Sequence, residues 1–134
     1  MARLEESIHS GDIVKYSIPE YSRDDITLAA GSGKLKCGTV LGKISASGKY
    51  EPVRLKVKNE EGADVDNTGG SQIACAVLLS DVDATTADAK AVALSRHSIV
   101  LNEYLIYPTD FTEDEKANAL SELEAVGIIK RKGA

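Results

Sequence analysis

The residues most suggestive of chemistry lie between positions 29 and 44, AAGSGKLKCGTVLGKI, where glycines 31, 33, 38 and 42 stand among lysines 34, 36 and 43. Glycine-rich loops that carry a lysine can cradle phosphates. Bare backbone N–H groups converge on the anion, and the ammonium neutralises it. The spacing here fails that test. A Walker loop needs glycine five residues before its Gly-Lys pair and Ser or Thr after it, and Leu28 and Leu35 occupy those positions. Without the hydroxyl there is no magnesium ligand, and without the first glycine the loop cannot curl around a phosphate. A dinucleotide fingerprint fails too, because the following segment is β-like and offers no helix N-terminus to the glycines.

Other constellations are weaker. Asp81-Val82-Asp83 resembles the start of a calcium loop, but Thr85 and Thr86 fill the next ligand and glycine positions and no glutamate closes it. An acidic surface loop is the simpler reading, and no metal is expected. His9 and His97 are far apart and form no i, i+4 ligand pair. Ser95, His97 and Asp81 supply the residue types of a nucleophile triad, yet no nucleophile elbow surrounds the serine. Cys37 and Cys75 lie too far apart for a CxxC motif and read as buried free thiols. No catalytic residue, metal or cofactor is assigned, and the chain does not read as an enzyme.

Composition narrows the partners. A net charge of −5 argues against nucleic acid, whose binding rests on clustered Lys and Arg. With no Trp and one Phe there is little to stack bases on. No apolar run approaches the roughly 20 residues that span a bilayer, so no membrane partner is expected. MARLEESIHSGD lacks the apolar stretch of a signal peptide, and the cytoplasm is the expected place of synthesis. A chain of 134 residues fits one domain with an ordinary core.

The elements that would carry any site are mostly β. ITLAAG places Ile26, Leu28 and Ala30 on one face of a strand. TVLGKI follows, with Gly31 and Gly33 as a turn before it and Gly38 and Gly42 letting it start and bend. RLKVK alternates Leu55 and Val57 inward against Arg54, Lys56 and Lys58 outward. NEEGADVDNTGGS and DVDATTADAK read as loops. IACAVLL suits a strand buried on both faces, with a short helix as the alternative, and AVALSRHSIV is another strand candidate. One helix stands out: Thr112 caps it with Glu115 three residues on, Ala117, Leu120 and Leu123 form its buried stripe, and Gly127 stops it. IIK then forms a short terminal strand. Short strands between turn signals predict a sandwich or barrel, an α+β class that is mostly β with one C-terminal amphipathic helix.

Residues 1–22 follow no clear period, yet Ile13, Val14, Tyr16 and Ile18 favour strands and Pro19 pushes its predecessor toward extended backbone. Two readings stand: a frayed terminus, or an arm that becomes a strand when a partner supplies an edge.

Three stretches in order carry a resemblance over Asp25 to Arg131: ITLAAGSGKLKCGTVLGKISASGKYEP, SQIACAVLLSDVDATTADAKAVALSRHSIV and LNEYLIYPTDFTEDEKANALSELEAVGIIKR. Together they resemble the head decoration protein family of tailed bacteriophages. The resemblance implies a flexible N-terminal arm over 1–22 and a decoration domain over 23–134. It also implies a homotrimer that binds the major capsid protein at three-fold positions of the expanded head and stabilises the shell against DNA pressure. The protein would then sit on the outer surface of the virion capsid after assembly in the host cytoplasm. In such a protein the arm orders beside capsid strands, which makes Ile13, Val14, Lys15, Tyr16, Ser17, Ile18 and Pro19 the expected capsid-binding residues. The alternative is a lipoyl- or biotinyl-like carrier, or a small-ligand-binding β domain, since TVLGKI also resembles a half-barrel segment; Lys43 would have to sit at a hairpin tip.

Overall fold

Five strands close into a small barrel, and three more form a separate sheet beside it. The computed structural model describes residues 14–17, 21–101 and 104–131. Its elements are β1 (Val14–Ser17), β2 (Arg23–Leu28), β3 (Gly33–Leu35), β4 (Val40–Lys43), β5 (Tyr50–Pro52), β6 (Lys56–Lys58), β7 (Asp64–Asp66), β8 (Ala74–Leu78), β9 (Val82–Ala84), β10 (Ala89–Leu94), β11 (Ser98–Leu101), the helix α1 (Glu113–Ala125) and β12 (Ile128–Arg131). Among the described residues the chain is therefore mostly β, with a single helix near its C-terminus.

The barrel pairs β10 antiparallel with β2 along six residues, from Ala89↔Leu28 to Leu94↔Arg23. β5 joins β2 in parallel at one position and β4 antiparallel at three. β8 closes the ring against β4 and β10. A five-stranded barrel has a narrow interior, so small side chains must alternate with large ones. Ile26, Leu28, Leu41 and Leu78 fill it together with Ala76, Ala84 and Ala93.

A second core lies between the barrel wall, the β1-β11-β12 sheet and α1. Val40, Ala74, Val77 and Leu94 face Val100, Ile128, Ala119 and Leu123. The unbroken apolar text of IACAVLL has its explanation here. β8 sends Ala76 and Leu78 into the barrel and Ala74 and Val77 toward the helix side, so both faces are dry.

The helix starts as its sequence dictates. Thr112 Oγ1 accepts the Glu115 N–H at 3.2 Å and Glu115 Oε1 accepts the Thr112 N–H at 2.9 Å, a complete capping box. Glu113, Asp114 and Glu115 crowd the positive end of the dipole. Its buried face differs from expectation: Ala119 and Leu123 are buried, Leu120 is half-buried and Ala117 is exposed. The helix packs on one core only, through Ala119, Leu120 and Leu123, so Ala119 takes the place expected for Ala117.

Several segments read as loops contain strands. NEEGADVDNTGGS holds β7, which pairs with β6 through Lys56↔Asp66, Val57↔Val65 and Lys58↔Asp64. Asn59 makes the turn by accepting the N–H groups of Glu61 and Ala63, and Gly62 takes φ +81°. Lys58 Nζ lies 2.7 Å from Asp64, and Lys56 also pairs with Asp66. DVDATTADAK holds β9, paired with β3, and β3 itself begins at Gly33 inside the expected turn. AVALSRHSIV is two strands, β10 and β11, with His97 at φ 44° in the turn between them.

Candidate interaction site

The residues that looked chemical do not assemble. The loop amides around Gly31 and Gly33 are already engaged: Ala30 N–H donates to Asp88 Oδ1, Gly31 N–H to the Ala84 carbonyl and Ser32 N–H to the Ala29 carbonyl. Lys34 stands opposite Asp83 in the β3–β9 ladder. Asp81 Oδ1 accepts the Cys37 N–H at 2.9 Å, and Asp83 is held by the Thr85 N–H and hydroxyl. Leu78 pairs with Ala93, so the chain from Leu78 to Asp81 runs toward the Lys90 end of β10. Ser95 and His97 follow Leu94 at the opposite end, and the triad types are thereby kept apart. His9 lies outside the described residues.

Both cysteines are free. Cys37 is buried as expected, whereas Cys75 is half-buried, packed against the barrel core. Burial nonetheless pushes its thiol above the ordinary cysteine range, which disfavours the nucleophilic thiolate.

Lys43 closes the β4 ladder opposite Tyr50, with its ammonium 5.9 Å from the ring centroid. The β4–β5 turn lies beyond it, around Gly48 at φ +74°. A modified lysine would need that tip, and Lys43 does not occupy it. The barrel interior holds core side chains in place of a small ligand, since Leu28, Leu41, Ala76, Leu78, Ala84 and Ala93 are each 0% exposed.

The N-terminal strand offers a different kind of site. Of the expected arm residues, Val14, Lys15, Tyr16 and Ser17 form β1, and Ile13, Ile18 and Pro19 lie outside the described residues. β1 pairs antiparallel with β11 through Val14↔Val100, Tyr16↔Ile99 and Ser17↔Ser98, with an irregularity between Val14 and Tyr16. The strand-forming composition is realised, but the edge that receives it belongs to the same chain. Sequence weighed a partner's edge and a frayed end, and not this arrangement. β11 is available because β12 takes only its other side, in parallel. Val14 and Ser17 are half-buried, with Val14 packed against the helix-side core.

The chain leading from β1 into β2 is tightly held. Ser22 is fully buried; its hydroxyl donates to the His97 carbonyl at 2.9 Å, and its own carbonyl accepts the Ser95 N–H at 2.8 Å. The Arg96 guanidinium reaches the Tyr21 carbonyl and both carboxylate oxygens of Asp24, at 3.2 and 2.6 Å. Hydrogen bonds from Arg96 hold the Asp24 carboxyl below its usual range. Arg96 also lies over the Tyr21 ring at 5.6 Å, and that ring meets His97 edge-on at 5.1 Å. Gly127 completes the corner. It ends the helix at φ +86°, and a Cβ there would sit 3.0 Å from the His97 nitrogen, so conformation and space both require glycine. Sequence missed this cluster, because Arg96 and Asp24 are 72 residues apart and no motif joins them.

A filled barrel with a short strand laid on an adjoining sheet edge is an arrangement that presents surface and main-chain groups. The sequence model of the family described as bacteriophage lambda head decoration protein D matches residues 3–128, and the chain belongs to that family. No curated protein matches the chain individually. Membership makes this a structural protein of the phage virion, associated with the capsid, of a family that is not an enzyme class.

Proposed function

We propose that the protein cements the expanded phage head. Three copies associate at three-fold positions and clamp neighbouring major capsid subunits, so that the shell withstands the pressure of packaged DNA. Ile13 to Pro19 serve as the shell-binding strand, and assembly takes place in the host cytoplasm. The family match over residues 3–128 carries this reading. Physical chemistry is consistent with it. Main-chain hydrogen bonds from an added strand give affinity without a rare side-chain constellation. Many copies on one shell need only modest affinity at each contact.

Sedimentation of the purified protein with expanded and compact shells tests the reading. Binding to expanded shells alone is the expected result; equal binding to both forms, or to neither, overturns it. Deleting residues 1–19 should abolish shell binding and leave the barrel folded. Retained binding would remove the arm from the mechanism.

A further inference from the structure

We infer that the outer face of the β1-β11-β12 sheet, built on Ile99, Leu101 and Ile129, is a side-chain docking surface for the major capsid protein. This rests on the shell-binding role proposed for β1, and it gives that contact the selectivity a strand edge lacks.

The sheet is apolar on both faces. Val100 and Ile128 are buried in the helix-side core, and Ser98 is buried on the same side of β11. Successive side chains of a strand point to opposite faces, so Ile99, Leu101 and Ile129 point away from that core. The parallel register sets Ile99 beside Ile129, and Leu101 beside Arg131. A sheet that covers a core with one face ordinarily turns polar residues to water with the other. Here Ile129 is 39% exposed, and Ile99 and Leu101 are half-buried. The outside of the β2–β10 pair follows the ordinary rule, with Val92 alone among Asp25, Thr27 and Lys90.

The partner follows from where this face lies. Family membership associates the protein with the capsid. β1 is the outer strand of the same sheet; Tyr16 is in register with Ile99, and no strand lies on its other side among the described residues. A capsid strand added there prolongs the sheet and brings its own chain to the border of the Ile99–Ile129 row. The opposite edge is guarded. β12 carries Lys130 and Arg131, both exposed, and charges on an edge strand oppose the addition of another. The open edge and the apolar face therefore meet at β1, where one partner can take both. Main-chain bonding at the edge supplies affinity, and the seating of side chains beside it tells one partner from another. The occupant is an apolar patch of the major capsid protein bordering the strand that adds to β1.

Ile129→Thr and Ile129→Lys test this in the full chain. Threonine keeps a β-branched side chain at an exposed position, so it carries the test even if lysine disturbs the strand. Loss of one packed aliphatic side chain should weaken binding to expanded shells by about ten-fold for threonine, and by more for lysine. The Tm and the sedimentation of the free protein should match wild type. Val92→Thr, the same change on the barrel's outer face, should bind as wild type does. Undiminished binding by both Ile129 variants overturns the inference, and so does equal weakening by Val92→Thr. Lost self-association of the free Ile129 variants also overturns it, by giving the face to a second copy. The proposed function fails separately. Wild-type protein that ignores expanded shells refutes that function and this inference together, whereas wild-type binding that the Ile129 variants match refutes the inference alone.

Discussion

Gly42 is the position where a single methyl group should do most damage. It lies in β4, where the β4–β8 register shifts between Leu41 and Gly42. Its φ is not in the left-handed region, so alanine has no conformational penalty there; the obstacle is space. A Cβ at Gly42 would sit 2.3 Å from the Ser71 carbonyl oxygen and 2.7 Å from both its carbonyl carbon and its Cα. These are backbone atoms, and the backbone has little freedom to yield. The Arg54 N–H donates to the Ser71 carbonyl at 3.1 Å, and the Ser71 hydroxyl is held between Glu51 and Asn67 at 2.5 and 2.8 Å. Overpacking costs typically 1–3 kcal/mol, and so rigid a contact belongs at about 3 kcal/mol. For a chain of this length that lowers Tm by about 10 °C. Gly48→Ala is the comparison. It meets nothing within 4 Å but has φ +74°, and should cost about 1 kcal/mol, near 4 °C. Thermal melts followed by circular dichroism at one matched protein concentration give both values. Adding Ser71→Gly to Gly42→Ala should restore nothing, because the Ser71 side chain is not what the methyl meets. A fall below about 3 °C for Gly42→Ala, or rescue by Ser71→Gly, would refute the close backbone approach.

Two further expectations come from the helix side. Thr112→Ala removes the acceptor of the capping box and should cost about 1 kcal/mol, with most of it recovered by Thr112→Ser; a melt unchanged by alanine would mean the cap holds no weight. Burial pushes the Tyr107 hydroxyl up to about 12 from an ordinary value of 10.0, and that hydroxyl has no hydrogen-bond partner among the described residues. The neutral form is favoured in the folded chain, so its contribution is complete below about pH 10 and is lost as pH rises from there toward 12. Urea melts across that range should show stability falling, and Tyr107→Phe should flatten the fall without loss at neutral pH; an identical slope in the variant would place the effect elsewhere.

How much could be read from the text varied with how local each cause was. The capping box at Thr112 and Glu115, the stop at Gly127 and the two-faced burial of IACAVLL are set by residues within a few positions of one another, and each is realised. β7 was invisible because its three residues are exposed and two of them are charged, and β9 because three residues are too few to show an alternation, although Ala84 is fully buried. What holds β7 is a cross-strand match of Lys56 and Lys58 with Asp66 and Asp64, a pairing that hydrophobic periodicity does not register. The turn that divides AVALSRHSIV was hidden for another reason. His97 takes a left-handed φ that sequence usually signals with glycine or asparagine, and the glycine concerned, Gly127, stands 30 residues away on the chain that packs against it.

The arm shows why the candidate site resisted motif reading. A strand edge recognises its partner through N–H and C=O groups that every residue carries, so the side chains of VKYS need encode no more than extended backbone. Composition could therefore say that this segment would pair, and not with what. The same generality creates a hazard: any compatible edge nearby will be used, and β11 lies within its own domain. Arg96, which holds the Tyr21 carbonyl and the Asp24 carboxylate, fixes the chain just beyond β1 and so limits which edge that strand can reach. The β1–β11 pairing covers the facing edges of β1 and β11 and leaves the outer edge of β1 without a partner strand among the described residues, so that edge is where a further strand can add.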